Sequence, residues 1–133
     1  MPPAMPGRSE AAEQMDVVRW FRVVVAAAHD LDPRLLFAIP NGGTRGDKRE
    51  CAILRASGVV AGVPDLFLAV PATDAAGLFV EMKRASGGRP SSAQLAMADA
   101  LTAAGYAVKI CHGADEAKTA ILTYLLHRQT TKG

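Results

Sequence analysis

Two stretches of the chain, GVPDLFLAV at 62–70 and LFVEMK at 78–83, decide how it folds. Both are rich in apolar and aromatic residues, and the turn-like PATDAAG between them indicates two neighbouring strands, about 65–70 and 78–83. Strands that follow each other without an intervening helix can pair as an antiparallel hairpin. A hairpin inside a chain of otherwise alternating helices and strands predicts a mixed sheet.

Helices and a further strand precede this hairpin. The first helix should begin at Ser9, a typical N-cap with Glu10 in the first turn, and run to about His29. Its apolar stripe, at helical spacing, consists of Val17, Phe21, Val24 and Ala28. LLFAI at 35–39 is predicted to be a short buried strand, and PNGGTR after it a turn.

The second half of the chain has clear helix boundaries. DKRECAILRAS is predicted to be a helix that Gly58 ends, and SSAQLAMADALTAAG a helix that opens with a capping box of Ser91 and Gln94 and closes at Gly105. YAVKIC forms a fourth strand and ADEAKTAILTYLLHR a last amphipathic helix. The predicted fold is therefore α/β, in the order α-β-α-β-β-α-β-α, with a central mixed sheet flanked by helices.

The composition indicates one globular domain. Of 133 residues, 50% are hydrophobic and 21% charged, which suits a single core at 9–128 with tails at 1–8 and 129–133. The net charge of +2 is compatible with a polyanionic partner without requiring one. We expect a cytoplasmic protein, because MPPAMPGR lacks the apolar run of a signal peptide and no segment suits a membrane span.

The charges on the hairpin point to chemistry. Glu81 and Lys83 alternate with Val80 and Met82 and so should share one face of their strand, and pairing would bring Asp65 to the same spot. Two converging carboxylates repel each other unless a cation neutralises them. Mg²⁺ suits such a site, since it prefers oxygen ligands and keeps waters. Two acids and a lysine around a metal could hydrolyse a phosphodiester.

Plainer interpretations exist for each of these residues. Asp65 could cap a turn after proline, and Glu81 with Lys83 could form a surface ion pair. Gln94 could serve only the capping box. Glu13 lies four residues before Val17, on the apolar stripe, and could be a helix-start charge rather than a ligand. All of them nevertheless fall at compatible places in one fold order.

The motifs resemble a known family. IPNGG (39–43), GVPDLFL (62–68), LFVEMK (78–83) and SSAQ (91–94) are similar to those of the VRR-NUC domain, within the PD-(D/E)xK nuclease superfamily, and EQMDVVRW (13–20) resembles the first helix of small, phage-type stand-alone members. The resemblance runs from about Glu13 to Leu125. It implies a restriction-endonuclease-like core and a DNA nuclease that depends on Mg²⁺ or Mn²⁺.

The resemblance also implies roles for individual residues. Asp65, Glu81 and the main-chain carbonyl of Met82 would bind the metal, and Lys83 would position or activate water. Glu13 would match the family's helical acid, as a ligand through water or of a second metal, and Gln94 the glutamine that supports the site. Asn41, Gly42 and Gly43 would form a loop near the site.

Basic residues suggest where DNA would lie. One group, Arg45, Lys48, Arg49 and Arg55, follows the NGG turn, and another, Lys83, Arg84 and Arg89, follows the ExK strand. They could contact phosphates, although Asp47 and Glu50 could instead make the first group a solvated helix face. With only 5% aromatic residues, recognition of DNA shape is favoured over base stacking.

The hypothesis from sequence is a metal-dependent, structure-selective DNA endonuclease, similar to Holliday-junction resolvases and acting as a homodimer, because a symmetric junction needs two cuts. Two alternatives stay open: a nicking or flap-cutting subunit of a larger complex, and a non-catalytic DNA-binding accessory. Ile121, Leu122 and Leu125 could form a dimer interface, but core packing is their expected use. The three histidines do not fall at ligand spacing. His112, just after the fourth strand, is worth a mutation, although a loop histidine without a catalytic part is expected.

Overall fold

The structure, a computed structural model, describes residues 7–40 and 48–128. Its helices are α1 (Glu10–Trp20), α2 (Ala26–Ala28), α3 (Lys48–Ala56), α4 (Ser92–Ala103) and α5 (Ala114–Leu125). Its strands are β1 (Leu36–Ala38), β2 (Leu66–Leu68), β3 (Leu78–Lys83) and β4 (Ala107–His112). A π-helical segment, Phe21–Val25, joins α1 to α2, and a 3-10 turn, Pro33–Leu35, precedes β1.

The four strands form one mixed sheet in the order β1-β2-β3-β4. The predicted hairpin is confirmed: β2 and β3 pair antiparallel, with Phe67 opposite Phe79. On its other side β3 pairs with β4 in parallel, and α4 makes the connection between them. The chain thus has a mixed α/β fold with a central sheet and flanking helices.

The core lies on one face of the sheet. Buried strand residues on this face, such as Leu66, Val80 and Met82, pack against Phe21 and Ile121 of the first and last helices. The confirmed alternation along β3 turns Glu81 and Lys83 to the opposite face. The charged residues therefore lie on the side of the sheet away from the main core.

The first helix departs from the predicted stripe. Ser9 is its N-cap, accepting a 3.0 Å hydrogen bond from Ala12 N–H, as predicted. Phe21 is buried, but Val24 is 55% exposed, and Val25 takes its place in the core. The reason is the π segment, which has about one residue more per turn than an α-helix. The buried face of the helix is therefore shifted by one position. Ala28 is likewise exposed, so the prediction for both residues is wrong.

Two other expectations need correction. Only Leu36 of β1 is buried, whereas Phe37 and Ala38 are exposed, because β1 is an edge strand that pairs only with β2. Ile121 and Leu125 are buried in the core as expected, but Leu122 is 42% exposed. None of the described helices is long and apolar enough to cross a membrane.

Candidate active site

Asp65 lies at the entrance to β2, where the register of the hairpin places it opposite Glu81. The pair Leu66 and Val80 is in register, so the next step of the antiparallel ladder brings the two acids together on one face. The preceding Pro64 is buried. One carboxylate oxygen of Asp65 accepts a 2.8 Å hydrogen bond from the backbone N–H of Met82, which fixes the side chain against β3.

Glu81 is the most deeply buried acid of the site, with 3% of its surface exposed. Its Oε1 accepts a 2.8 Å hydrogen bond from the side-chain amide of Gln94. Its Oε2 is also buried and has no hydrogen-bond partner among the residues that the structure describes. A buried polar atom in this state costs free energy. When Glu81 is ionised, this oxygen has no donor among the described residues, and a bound cation would satisfy it.

The electrostatics of Glu81 agree with this arrangement. Burial raises the pKa of the Glu81 carboxyl from 4.5 to about 8, and the negative charge of Asp65 adds to the shift, whereas Lys83 opposes it. A hydrogen bond between the two carboxyls, possible only when one is protonated, also raises the pKa of Glu81. Glu10, at the start of α1, makes a further small contribution in the same direction. The positive charge of Lys83 does not offset the burial of Glu81 and its repulsion by Asp65, and a bound cation would supply the further positive charge.

Gln94 reaches Glu81 because the start of α4 is fixed in two ways. The predicted capping box is present: Ser91 Oγ accepts from the Gln94 N–H at 3.1 Å, and Gln94 Oε1 accepts from the Ser91 N–H at 2.8 Å. Gly62, with a positive φ of 89°, packs against this turn so closely that a Cβ atom there would lie 2.4 Å from the carbonyl oxygen of Ala93. Gln94 thus both caps its helix and holds Glu81.

The two acids of the first helix occupy different places. Glu13 is buried, and its Oε2 accepts a 2.6 Å hydrogen bond from the backbone N–H of Ala114, at the start of α5. Its Oε1 lies 3.8 Å from the guanidinium of Arg8. Glu10, one turn earlier, is exposed, and its charge makes only the smallest of the contributions to the raised pKa of Glu81. The three-residue spacing places Glu10 and Glu13 on the same side of α1.

Lys83 ends β3 on the same face as Glu81, and its side chain is half-buried. The backbone carbonyl of Lys83 accepts a 2.9 Å hydrogen bond from Gly113 N–H, so the strand end is tied to β4. His112 is not a loop residue, as expected from sequence, but the last residue of β4. It pairs directly with Lys83. The loop after β3 therefore starts from a firmly held lysine.

The residues present suit a hard divalent cation. The N–H of Met82 points towards Asp65, and in an extended strand the carbonyl of the same residue points to the same side. Continuing the register sets Pro64 opposite Met82, and proline has no N–H to donate to that carbonyl. Across residues 7–40 and 48–128, no three His, Cys, Asp or Glu side chains gather into a ligand cluster. A metal here would thus use two carboxylates, a carbonyl and water or phosphate oxygens.

The predicted DNA-contacting residues fall into two groups. Asn41, Gly42, Gly43 and Arg45 lie outside the described residues. The other predicted DNA-contacting residues lie within the described part of the chain, and their side chains are all exposed: Lys48, Arg49, Arg55, Arg84 and Arg89. Arg84 follows β3 directly, and Arg89 lies in the loop between β3 and α4, so both belong to the segment next to Lys83.

Comparison with known proteins identifies the fold and the family. A solved structure described as a "VRR_NUC domain protein" superposes with a TM-score of 0.75 over 91% of each chain, at 21% sequence identity, which shows a shared fold. No curated protein sequence matches the chain. The family profile of the VRR-NUC domain, a nuclease-type domain, matches residues 10–115. This match covers most of the sequence and contains Asp65, Glu81 and Lys83, and the chain therefore belongs to the VRR-NUC domain family.

Proposed function

We propose that this protein is a DNA endonuclease of the PD-(D/E)xK type that depends on Mg²⁺ or Mn²⁺. The observation that carries the proposal is the pairing of Asp65 with the buried Glu81 on one face of the hairpin, in which the ionised Glu81 Oε2 has no donor among the described residues. A purely structural glutamate at this depth would be expected to have both oxygens satisfied. The nuclease character of the family supports the same conclusion.

Asp65, Glu81 and the carbonyl of Met82 would hold the metal. When bound, the metal would supply a Lewis acid that polarises the phosphate and lowers the pKa of a water molecule. Glu10 rather than Glu13 would complete the set, because both oxygens of Glu13 are engaged, by Ala114 N–H and by Arg8, whereas Glu10 is exposed one turn earlier on the same helix. We therefore assign the helical acid of the site to Glu10 and give Glu13 a supporting role.

The remaining residues orient the reactants. Lys83 presents an ammonium group on the same face as the two acids, where it can donate to an attacking water or to the phosphate oxygen that gains charge. Gln94 fixes the rotamer of Glu81 through its 2.8 Å hydrogen bond. Such positioning by a residue that does not react is worth a large part of catalysis.

We propose branched DNA as the substrate and a homodimer as the active form. One chain carries one cutting site, and a symmetric junction needs two cuts. The exposed Arg84 and Arg89 next to Lys83 would contact phosphates on either side of the cut. Sedimentation velocity of the full chain, alone and with a four-way junction, tests the dimer directly, and a monomer in both conditions would reject it.

The decisive experiment is cleavage of labelled four-way junction, flap, nicked and linear DNA with Mg²⁺ or Mn²⁺. Wild type should cut at least one substrate, and Asp65→Asn and Lys83→Met should lose at least about a hundredfold in rate. Asp32→Asn is the matched control, since it makes the same change at an exposed acid that pairs with Arg34 away from the hairpin. Preference for flaps or nicks would favour a nicking or flap nuclease. Binding without cleavage in either metal would favour the accessory role.

A further inference from the structure

His112 lies beside the lysine of the site. The parallel pairing of β3 and β4 sets His112 opposite Lys83, so the two side chains emerge on the same face of the sheet. This is also the face that carries Glu81. The imidazole is half-buried and therefore shielded in part from water.

The imidazole binds the loop that follows β3. Nε2 of His112 lies 2.7 Å from the backbone carbonyl oxygen of Gly88. A carbonyl oxygen can only accept, so Nε2 must carry the proton and donate it. The bond joins the end of β4 to the middle of a loop 24 residues earlier in the chain. It closes that loop against the sheet.

The closed loop rests on the stem of Lys83. A Cβ atom built on Gly88 would lie 3.2 Å from Cβ of Lys83 and 3.5 Å from its Cδ. Gly87, just before, has a positive φ of 84°, which turns the chain back towards the strand end. The aliphatic part of the lysine is thus confined by the loop backbone.

We infer that His112 is a positioning residue for Lys83, acting through Gly88 and the loop. The inference rests on the proposed function, in which Lys83 acts on water or phosphate. A lysine side chain has four flexible torsions, and each additional accessible rotamer lowers the population of the reactive conformation. By holding the loop against the lysine stem, the His112–Gly88 hydrogen bond restricts those torsions before substrate arrives. His112 itself does not touch the reacting atoms.

The same loop bears two exposed arginines, Arg84 and Arg89, on either side of Gly88. The hydrogen bond is made by the Gly88 backbone and not by the guanidinium groups, so these long, solvent-exposed side chains can still reach phosphates when it is lost. The inference therefore predicts a fall in kcat with little change in KM. This split separates it from a general loosening of the fold, which would alter both.

The test uses the full chain and the best substrate of the wild type. His112→Leu removes the donor, and kcat should fall at least about tenfold with KM nearly unchanged. His112→Gln keeps an N–H near the position of Nε2 and should restore most of kcat. Hydrogen exchange of the 84–90 backbone should speed up in His112→Leu and return towards wild type in His112→Gln. His127→Leu is the matched control, since His127 is exposed at the end of α5.

Gly88→Ala provides a second route that removes no polar group. Its φ lies outside the left-handed region, and the new methyl group would lie 3.2 Å from Cβ of Lys83, so the loop or the lysine stem must shift by a few tenths of an ångström. We expect the same fall in kcat with KM kept. Unchanged kcat in both His112→Leu and Gly88→Ala, with an active wild type, would overturn the inference alone. A wild type that cuts no substrate would overturn the proposed function and, with it, this role for His112.

Discussion

The side-chain amide of Gln94 donates a 2.8 Å hydrogen bond to Glu81, and its oxygen accepts one of 2.8 Å from the N–H of Ser91. One side chain therefore caps the N-terminus of α4 and also orients a carboxylate on β3. The two interpretations that the sequence allowed for Gln94, a capping residue and a residue that supports the site, describe a single geometry. Glu81 can hold its rotamer only while the start of α4 stays in place.

Replacing Gln94 should damage both functions at once, and Ser91 separates them. Gln94→Ala should lower the stability by about 1 kcal/mol and the cleavage rate at least about tenfold, because the cap and the orientation of Glu81 are both lost. Ser91→Ala should lose a similar amount of stability but keep the rate within about threefold, since the Gln94–Glu81 hydrogen bond survives. Urea unfolding and cleavage kinetics check this. Equal rates in the two variants would contradict it.

The raised pKa of Glu81 predicts how the metal-free protein responds to pH. The unfolded chain ionises this group near 4.5 and the folded chain near 8, so the folded state binds the extra proton in between. The contribution of Glu81 thus lowers stability as pH rises from about 4.5 to about 8. Glu81→Gln should remove that slope and be more stable than wild type at pH 8 by about 1–3 kcal/mol.

Urea unfolding in EDTA at several pH values between these limits measures the slope. Glu116→Gln, an isosteric change at an exposed acid of α5, is the control and should leave the slope as in wild type. Added Mg²⁺ should stabilise the wild type and not Glu81→Gln, because only the carboxylate can bind it. Parallel pH curves for wild type and Glu81→Gln would rule out this account of the site.

The two acids of α1 should show opposite signatures. Glu13→Leu leaves the buried N–H of Ala114 without its acceptor and should cost about 1–3 kcal/mol of stability. Glu10→Gln should leave stability nearly unchanged and weaken metal binding, because it removes a charge near Glu81. Thermal unfolding and calorimetric Mn²⁺ titration distinguish the pair. A loss of metal affinity in Glu13→Gln, which keeps an acceptor, would return the ligand role to Glu13.

Gly62 should tolerate no side chain. Its φ of 89° and the 2.4 Å approach of a Cβ atom to the Ala93 carbonyl mean that Gly62→Ala must push away the start of α4. We expect a loss of about 2–4 kcal/mol and a reduced cleavage rate. Gly58→Ala is the control, since its φ of 110° carries a similar strain in open space. Equal stability losses at the two positions would show that the contact with α4 has no importance.

Salt dependence can test the arginines after β3. Arg84→Ala and Arg89→Ala should each reduce the slope of log K against log salt by about one for DNA binding in Ca²⁺, if each meets one phosphate. Arg34→Ala, which removes an exposed arginine already paired with Asp32, should leave the slope unchanged. An unaltered slope in Arg84→Ala and Arg89→Ala would place the DNA elsewhere.

The sequence predicted those features that depend on local patterns. Period-two alternation sets Glu81 and Lys83 on one face, and a short turn between apolar runs makes the β2–β3 hairpin. The capping box of Ser91 and Gln94 is likewise a matter of spacing within one turn. Each of these needs only a few neighbouring residues to be decided.

What the sequence could not supply depends on contacts between distant segments. The π segment at Phe21–Val25 shifts the stripe so that Val25 joins the core, and no pattern in the sequence indicates that segment. The sequence could not show that the N–H of Ala114, 101 residues from Glu13, donates a hydrogen bond to this acid. The place of His112 was missed because its partner, Gly88, becomes a neighbour only when β4 pairs with β3.

The helix that carries Gln94 is the least anchored of the long helices around the site. Of the 12 residues of α4 none is buried, and Leu95 is 48% exposed, whereas α1 and α5 both place side chains in the core. Segments with so little buried apolar surface open by local unfolding at a small cost in free energy. Amides of α4 should therefore exchange with solvent before those of α5. A metal bound to Glu81 would hold Gln94 and the start of α4 in place and would slow this exchange. Metal binding would therefore stabilise the helix that forms one side of the site.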